Sequence, residues 1–118
     1  MNILRTWTFW IRTPQREECR LHLEGSKLRE MRAAPGNRRA AALFRDRGDG
    51  TTVVTLMSIW DSMSSIRAFA GPEVEQPSID AQDLGKLFDQ EPAVRHFPMS
   101  DADTLRALPA QWREAEDG

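Results

Sequence analysis

An α+β fold of the ferredoxin-like kind, with a four-stranded antiparallel sheet, is what this 118-residue sequence predicts. Three observations carry the prediction. Four stretches that suit strands alternate with two helical patterns in the order β-α-β-β-α-β, which lays the helices on one face of the sheet. The segment GNRRAAALFRDRGDGTTVVTLMSIWDSMSSIRAFAG, from Gly36 to Gly71, reads as strand, glycine-rich turn, strand and capped helix. The first and third strands are apolar on both faces, whereas an antiparallel sheet with one wet face alternates cleanly. The second face is therefore expected to pack on the same sheet of another copy, making a homodimer.

The N-terminal strand is read over Ile3 to Arg12, where Ile3, Trp7, Phe9 and Ile11 (with Arg5) share one face and Leu4, Thr6, Thr8 and Trp10 the other. Thr13-Pro14 opens a helix, with Thr as N-cap, Pro at N1 and Glu17 and Glu18 near the positive end of the dipole. Its inward stripe is expected to be Leu21, Gly25, Leu28 and Met31, and Pro35-Gly36 ends it. Arg39 to Arg45 and Thr51 to Trp60 form a hairpin across Asp46-Arg47-Gly48-Asp49-Gly50. The aspartates of that loop lack the spacing and terminal Glu of a calcium loop. Asp61-Ser62 caps the next helix, with Met63, Ile66, Phe69 and Ala70 inward, and Gly71-Pro72 stops it. A helical pattern resumes over Ser78 to Asp89, and Ala93 to Met99 is the last strand, its Pro98 at an edge. Residues 1–99 make one domain. Residues 100–118 are a polar extension, apolar only at Leu105, Leu108 and Trp112, read as a short helix and a frayed tail that either wraps a partner or stays mobile.

Composition narrows the function classes. A formal charge of −2, with sixteen basic and eighteen acidic residues interspersed, argues against nucleic-acid binding, which needs clustered Lys and Arg. No apolar run approaches the roughly 18 residues of a membrane span, and the N-terminus does not read as a signal peptide. Cys19 is alone, so no intrachain disulfide forms, and a cytoplasmic protein is expected. Two histidines and one cysteine without ligand spacing make no metal site. There is no P-loop, dinucleotide glycine fingerprint or nucleophile elbow, so no cofactor is expected.

The chain resembles the dimeric α/β-barrel superfamily, in its antibiotic biosynthesis monooxygenase-like group. The residues that carry the resemblance are Pro35-Gly36 before a strand, the RAAALFRD…GDGTTVVTLMSIWDS hairpin, the SSIRAFA helix (Ser64 to Ala70) and Val94-Arg95-His96-Phe97, similar to a V-x-H-[YF] ending. They span roughly residues 3 to 99. The superfamily includes cofactor-free oxygenases, haem-degrading enzymes and proteins of no known activity, so the resemblance implies a fold before it implies a reaction. It implies a pocket between sheet and helices for a small apolar or aromatic molecule, and cofactor-independent monooxygenase chemistry with the substrate supplying the electrons. The alternative is a non-catalytic dimeric module, binding or structural. Haem degradation is implied less well: those members pair a first-strand Asn and a second-helix His with the tryptophan, where this chain has Thr6-Trp7-Thr8 and Phe69-Ala70-Gly71. The chain also has no tyrosine, although the group's oxygenases often position substrate with phenolic or amide groups.

Candidate site residues follow. Trp60, where strand meets helix, either lines the pocket as the matching tryptophan of the group's oxygenases does, or plugs the core. His96 is a candidate proton acceptor, with a pKa naturally near working pH, or else a structural histidine at the sheet edge. His22, one position off the Leu21 stripe, is the other candidate base or a surface residue. Trp7 is a substrate-slot or core aromatic, and Phe69 and Phe88 are expected as lid-side contacts.

Overall fold

Ten residues apolar on both faces make β1 (Ile3–Arg12), and a computed structural model of the chain, which describes residues 2–77 and 87–113, places it inside the sheet. β2 (Asn37–Asp46) and β3 (Thr51–Trp60) form the expected hairpin. β3 runs antiparallel to β1 along its whole length, from Ile3 opposite Trp60 to Arg12 opposite Thr51. Beyond β1 lie two short strands, β4 (Asp89–Gln90) and β5 (Arg95–Pro98), both antiparallel to it.

The antiparallel sheet therefore has five strands rather than four, because the last strand position is split. The Glu91 N–H reaches the Thr8 carbonyl at 2.9 Å, but Pro92 has no N–H to give, and the chain leaves β1 until Arg95. The strand expected over Ala93 to Met99 is correspondingly shorter. The helix expected over Ser78 to Asp89 does not reach its predicted end: the Phe88 N–H donates to the Trp10 carbonyl, and Asp89 is already in β4. Residues 78–86 lie outside the described residues.

The helices before β4 share one face of the sheet. A 3-10 turn (Thr13–Gln15) leads into α1 (Arg16–Gly25) and α2 (Lys27–Ala33), and α3 (Met63–Ala70) follows β3. The single helix expected from Pro14 to Pro35 is thus two. Gly25 holds a helix poorly, and the Ser26 hydroxyl donates to the His22 carbonyl four residues back, a bond that competes with the helical ladder. The break resets the helical phase. Leu23, Leu28 and Met31 face the core, while Leu21, expected inward, is 59% exposed and Gly25 is exposed as well. Thr13 is not a cap either; its hydroxyl meets that of Thr52 at 3.0 Å. The α3 cap is as expected: Ser62 Oγ accepts from the Ser65 N–H, and Gly71 ends the helix at φ +90°.

Two apolar layers flank the sheet. Between sheet and helices lie Ile3, Trp7, Phe9 and Ile11 with Val54, Leu56, Trp60, Leu28 and Ile66. On the outer face, α4 (Ala102–Ala107) and α5 (Ala110–Arg113) lay Leu108 and Trp112 over Leu4, Ile59 and Met99, with Leu105 beside them. The C-terminal extension therefore packs on the chain's own sheet. Among the described residues, no helix is long and apolar enough to cross a membrane.

Candidate functional site

Strand register sets the site. Arg5 stands opposite Ser58 on β3 and opposite His96 on β5, so three polar residues form one row across the helix-facing side of the sheet. One step along, Trp7 stands opposite Leu56. Met31 from α2 and Phe69 from α3 close over these residues, and Thr6, Lys27 and Val94 complete the lining. The enclosed space is about 30 Å³, within a cleft of about 380 Å³ that includes its opening to solvent. One or two waters fill such an enclosure. It is smaller than the 300–1,000 Å³ usual for small-molecule sites.

Arg5 is the unusual member. It is only 6% exposed, yet no carboxylate pairs with it among the described residues. Its Nη1 donates to the Val74 carbonyl at 2.7 Å and to His96 Nε2 at 2.8 Å. Burial lowers the guanidinium pKa to about 10, which leaves it charged at neutral pH. Because a guanidinium can only donate, His96 Nε2 must accept, and the imidazole is neutral with its proton on Nδ1. Desolvation of the half-buried ring lowers its pKa, the Arg5 charge lowers it further, and Glu75 acts weakly the other way.

The predicted site residues separate in space. Trp7 and Phe69 line the cleft. The Trp7 indole N–H donates to the Glu91 carbonyl at 2.9 Å. Trp60 is fully buried one layer behind the cleft. Its ring tilts against Phe69 at 5.2 Å between centroids, and its N–H donates to Ser58 Oγ at 2.8 Å. His96 reaches the cleft through Arg5. His22 is exposed on α1, away from it. Phe88 is 56% exposed beyond the far end of β1, beneath the Arg12 guanidinium at 5.4 Å. Arg5, Ser58 and Lys27 were not singled out as site residues from the sequence. The signal for Arg5 was present: a charged residue on the helix-facing side of an otherwise apolar strand.

A broader depression of about 400 Å³ lies between β2 and α5, lined by Arg32, Arg38, Arg39 and Trp112 among others. Two of its arginines serve the fold. Arg32 Nε and Nη2 both donate to the Ala40 carbonyl while Nη1 bonds Glu24, and Arg38 donates to Asn2 Oδ1. Its walls are polar and open, so the cleft at Arg5 is the better candidate. No group of His, Cys, Asp and Glu among the described residues is arranged to hold a metal.

No protein-family model matches the chain, and no curated protein matches it in sequence. Solved structures do share its fold. A candidate antibiotic biosynthesis monooxygenase of Bacillus cereus aligns with a TM-score of 0.61 at 13% identity, over 86% of this chain and 94% of that one. The heme-degrading protein Rv3592 of Mycobacterium tuberculosis gives 0.54 at 15%, over 83% and 93%. SnoaB, a cofactor-independent oxygenase of Streptomyces nogalater, gives 0.50 at 15%, over 83% and 93%. The chain thus has the ferredoxin-like fold of the antibiotic biosynthesis monooxygenase-like proteins. The neighbours differ in what their names say they do, so the shared fold leaves the reaction to be argued from the site.

Proposed function

We propose that this chain is a monooxygenase-like protein that binds a small apolar or aromatic molecule in the cleft between sheet and helices, without a cofactor. One observation carries the reading: Trp7, Leu56, Met31 and Phe69 wall a cleft whose lining also brings together Arg5 and Ser58. Apolar walls with a few convergent polar groups are the usual form of a small-molecule site. The narrow enclosure admits the polar end of a ligand, with its apolar part toward the opening. If the cleft turns its ligand over, the protein's part is desolvation and placement of charge. Proton removal then falls to the substrate or to water, since the lone pair of His96 Nε2 accepts from Arg5 and His22 is exposed.

That same observation favours a second reading, a binding protein without turnover. Titration with 1-naphthol, followed by amide and indole NMR, separates the cases. Shifts centred on the Trp7 indole N–H, Phe69 and Val94 support the site, and shifts elsewhere or none would remove it. Oxygen consumption above the uncatalysed rate with that probe favours the oxygenase, and binding without uptake favours the second reading.

The proposal includes a homodimer through the outer sheet face, where Thr8, Trp10, Thr55 and Met57 are only half-buried and Leu43 is exposed. A single cysteine suits a reducing, cytoplasmic setting.

A further inference from the structure

We propose that the ligand of the Arg5 cleft carries a carboxylate and that Arg5 is its anchor. The inference rests on the cleft being the binding site and adds the chemical class of what binds there.

A guanidinium has five N–H donors. In Arg5 the two on Nη1 are used, one by the Val74 carbonyl and one by His96 Nε2. The Nε–H and the Nη2 pair find no acceptor among the described residues, although the side chain is more than nine-tenths buried and lines the cleft. No fully buried side-chain donor among the described residues lacks a partner, so these donors open onto the cleft, and their acceptor is whatever the cleft holds, water or ligand. Nε–H and one Nη2–H lie side by side in the plane of the guanidinium, the spacing that two oxygens of a carboxylate fill in a bidentate pair.

Charge leads to the same conclusion. The Arg5 cation lacks a carboxylate partner among the described residues, and an unbalanced buried charge is costly unless an anion joins it. Lys27, in the same lining, holds its ammonium over the Phe69 ring at 5.7 Å and is paired with Glu30 at 3.7 Å, so Arg5 is the group whose charge the ligand balances. The enclosed 30 Å³ beside these groups suits a carboxylate in place of water, with the aromatic body lying along Trp7 and Phe69 toward the opening. Within this arrangement His96 is a positioning residue. Its neutral Nε2 holds Nη1 in place, which fixes the plane of the fork.

The test compares 2-naphthoate with 2-naphthamide, which share a shape and differ in charge. Wild-type protein is expected to bind the naphthoate about tenfold or more tightly, in keeping with a charge-assisted bidentate pair. The Arg5 Nε–H NMR signal should move with naphthoate and stay in place with naphthamide. Arg5→Lys keeps a cation but loses the fork, and should lose most of the preference while naphthamide binding is retained. Equal binding of the two probes, or an unmoved Nε–H signal, overturns the carboxylate assignment and leaves the site standing. Failure of both probes to bind overturns the site as well. The wild-type comparison and the Nε–H signal decide the matter even if the Arg5 variants fail to fold.

Discussion

Gly36 takes φ +86°, in the left-handed region that favours glycine, and its carbonyl accepts from the Asp61 N–H at 2.9 Å. A Cβ there would overlap the Ser65 hydroxyl and lie 2.7 Å from Asp61 Oδ1, two groups bonded to each other beside the Ser62 cap of α3. Gly36→Ala should destabilise the fold by roughly 2 kcal/mol or more, read as a fall in denaturation midpoint; an unchanged midpoint would contradict this. A second expectation concerns His96, whose folded-state pKa is lowered chiefly by desolvation and then by Arg5. The unfolded chain takes up the proton first as pH falls, so the contribution of His96 is complete above its ordinary pKa of about 6.5 and is lost below it. Denaturant melts at stepped pH should show wild type weakening more steeply on that acid side than His96→Gln; identical slopes would refute it. At this scale the sequence was a partial guide. Trp7 and Phe69 could be placed in the cleft by alternation and helical spacing. The commitment of His96 to Arg5 could not, because it depends on the pairing of β1 with β5, which are far apart in the chain.

Among the elements, the hairpin, α3 and its cap were legible because each is encoded locally by alternation, turn glycines and a capping serine. The two splits were not. The breaks at Ser26 and at Pro92 both arise where one backbone group loses its regular partner, while the surrounding periodicity continues as if nothing had happened. Gly25 offers a direct check. A Cβ at this position would meet nothing within 4 Å, and its φ is not positive. Gly25→Ala should therefore stabilise the chain by about 0.5–1 kcal/mol, raising its melting temperature. No gain, or a loss, would mean that the break between α1 and α2 needs the glycine.

For the whole molecule, the open question is how the outer sheet face is used. Residues 102–113 cover its Leu4–Ile59 end, leaving the Thr8–Thr55 end for the proposed partner. The β1–β3 pair lies at the middle of that remaining surface, and Thr55→Arg would place two like charges within such an interface. Sedimentation of wild type at twice 13.5 kDa, falling to 13.5 kDa in the variant, is the expected result. A wild-type monomer would refute the sheet-face dimer. Apolarity on both faces of β1 and β3 was read as the mark of packing on the sheet of another copy. That part of the cover comes from the chain's own C-terminus was not read, because three apolar residues in a polar stretch do not say which surface they meet.

The outer edge of β2 adds a constraint on assembly. Open strand edges are where proteins add foreign strands and begin to form fibrils. Along this edge Arg32 holds the Ala40 carbonyl with two N–H groups, and Arg38, Arg39 and Arg45 crowd the strand with charge. An incoming strand would have to displace the Arg32 clamp and bring its own backbone past those cations. Growth of the sheet sideways is thereby disfavoured, which is what the proposed face-to-face dimer requires if it is to close rather than continue as an open-ended polymer.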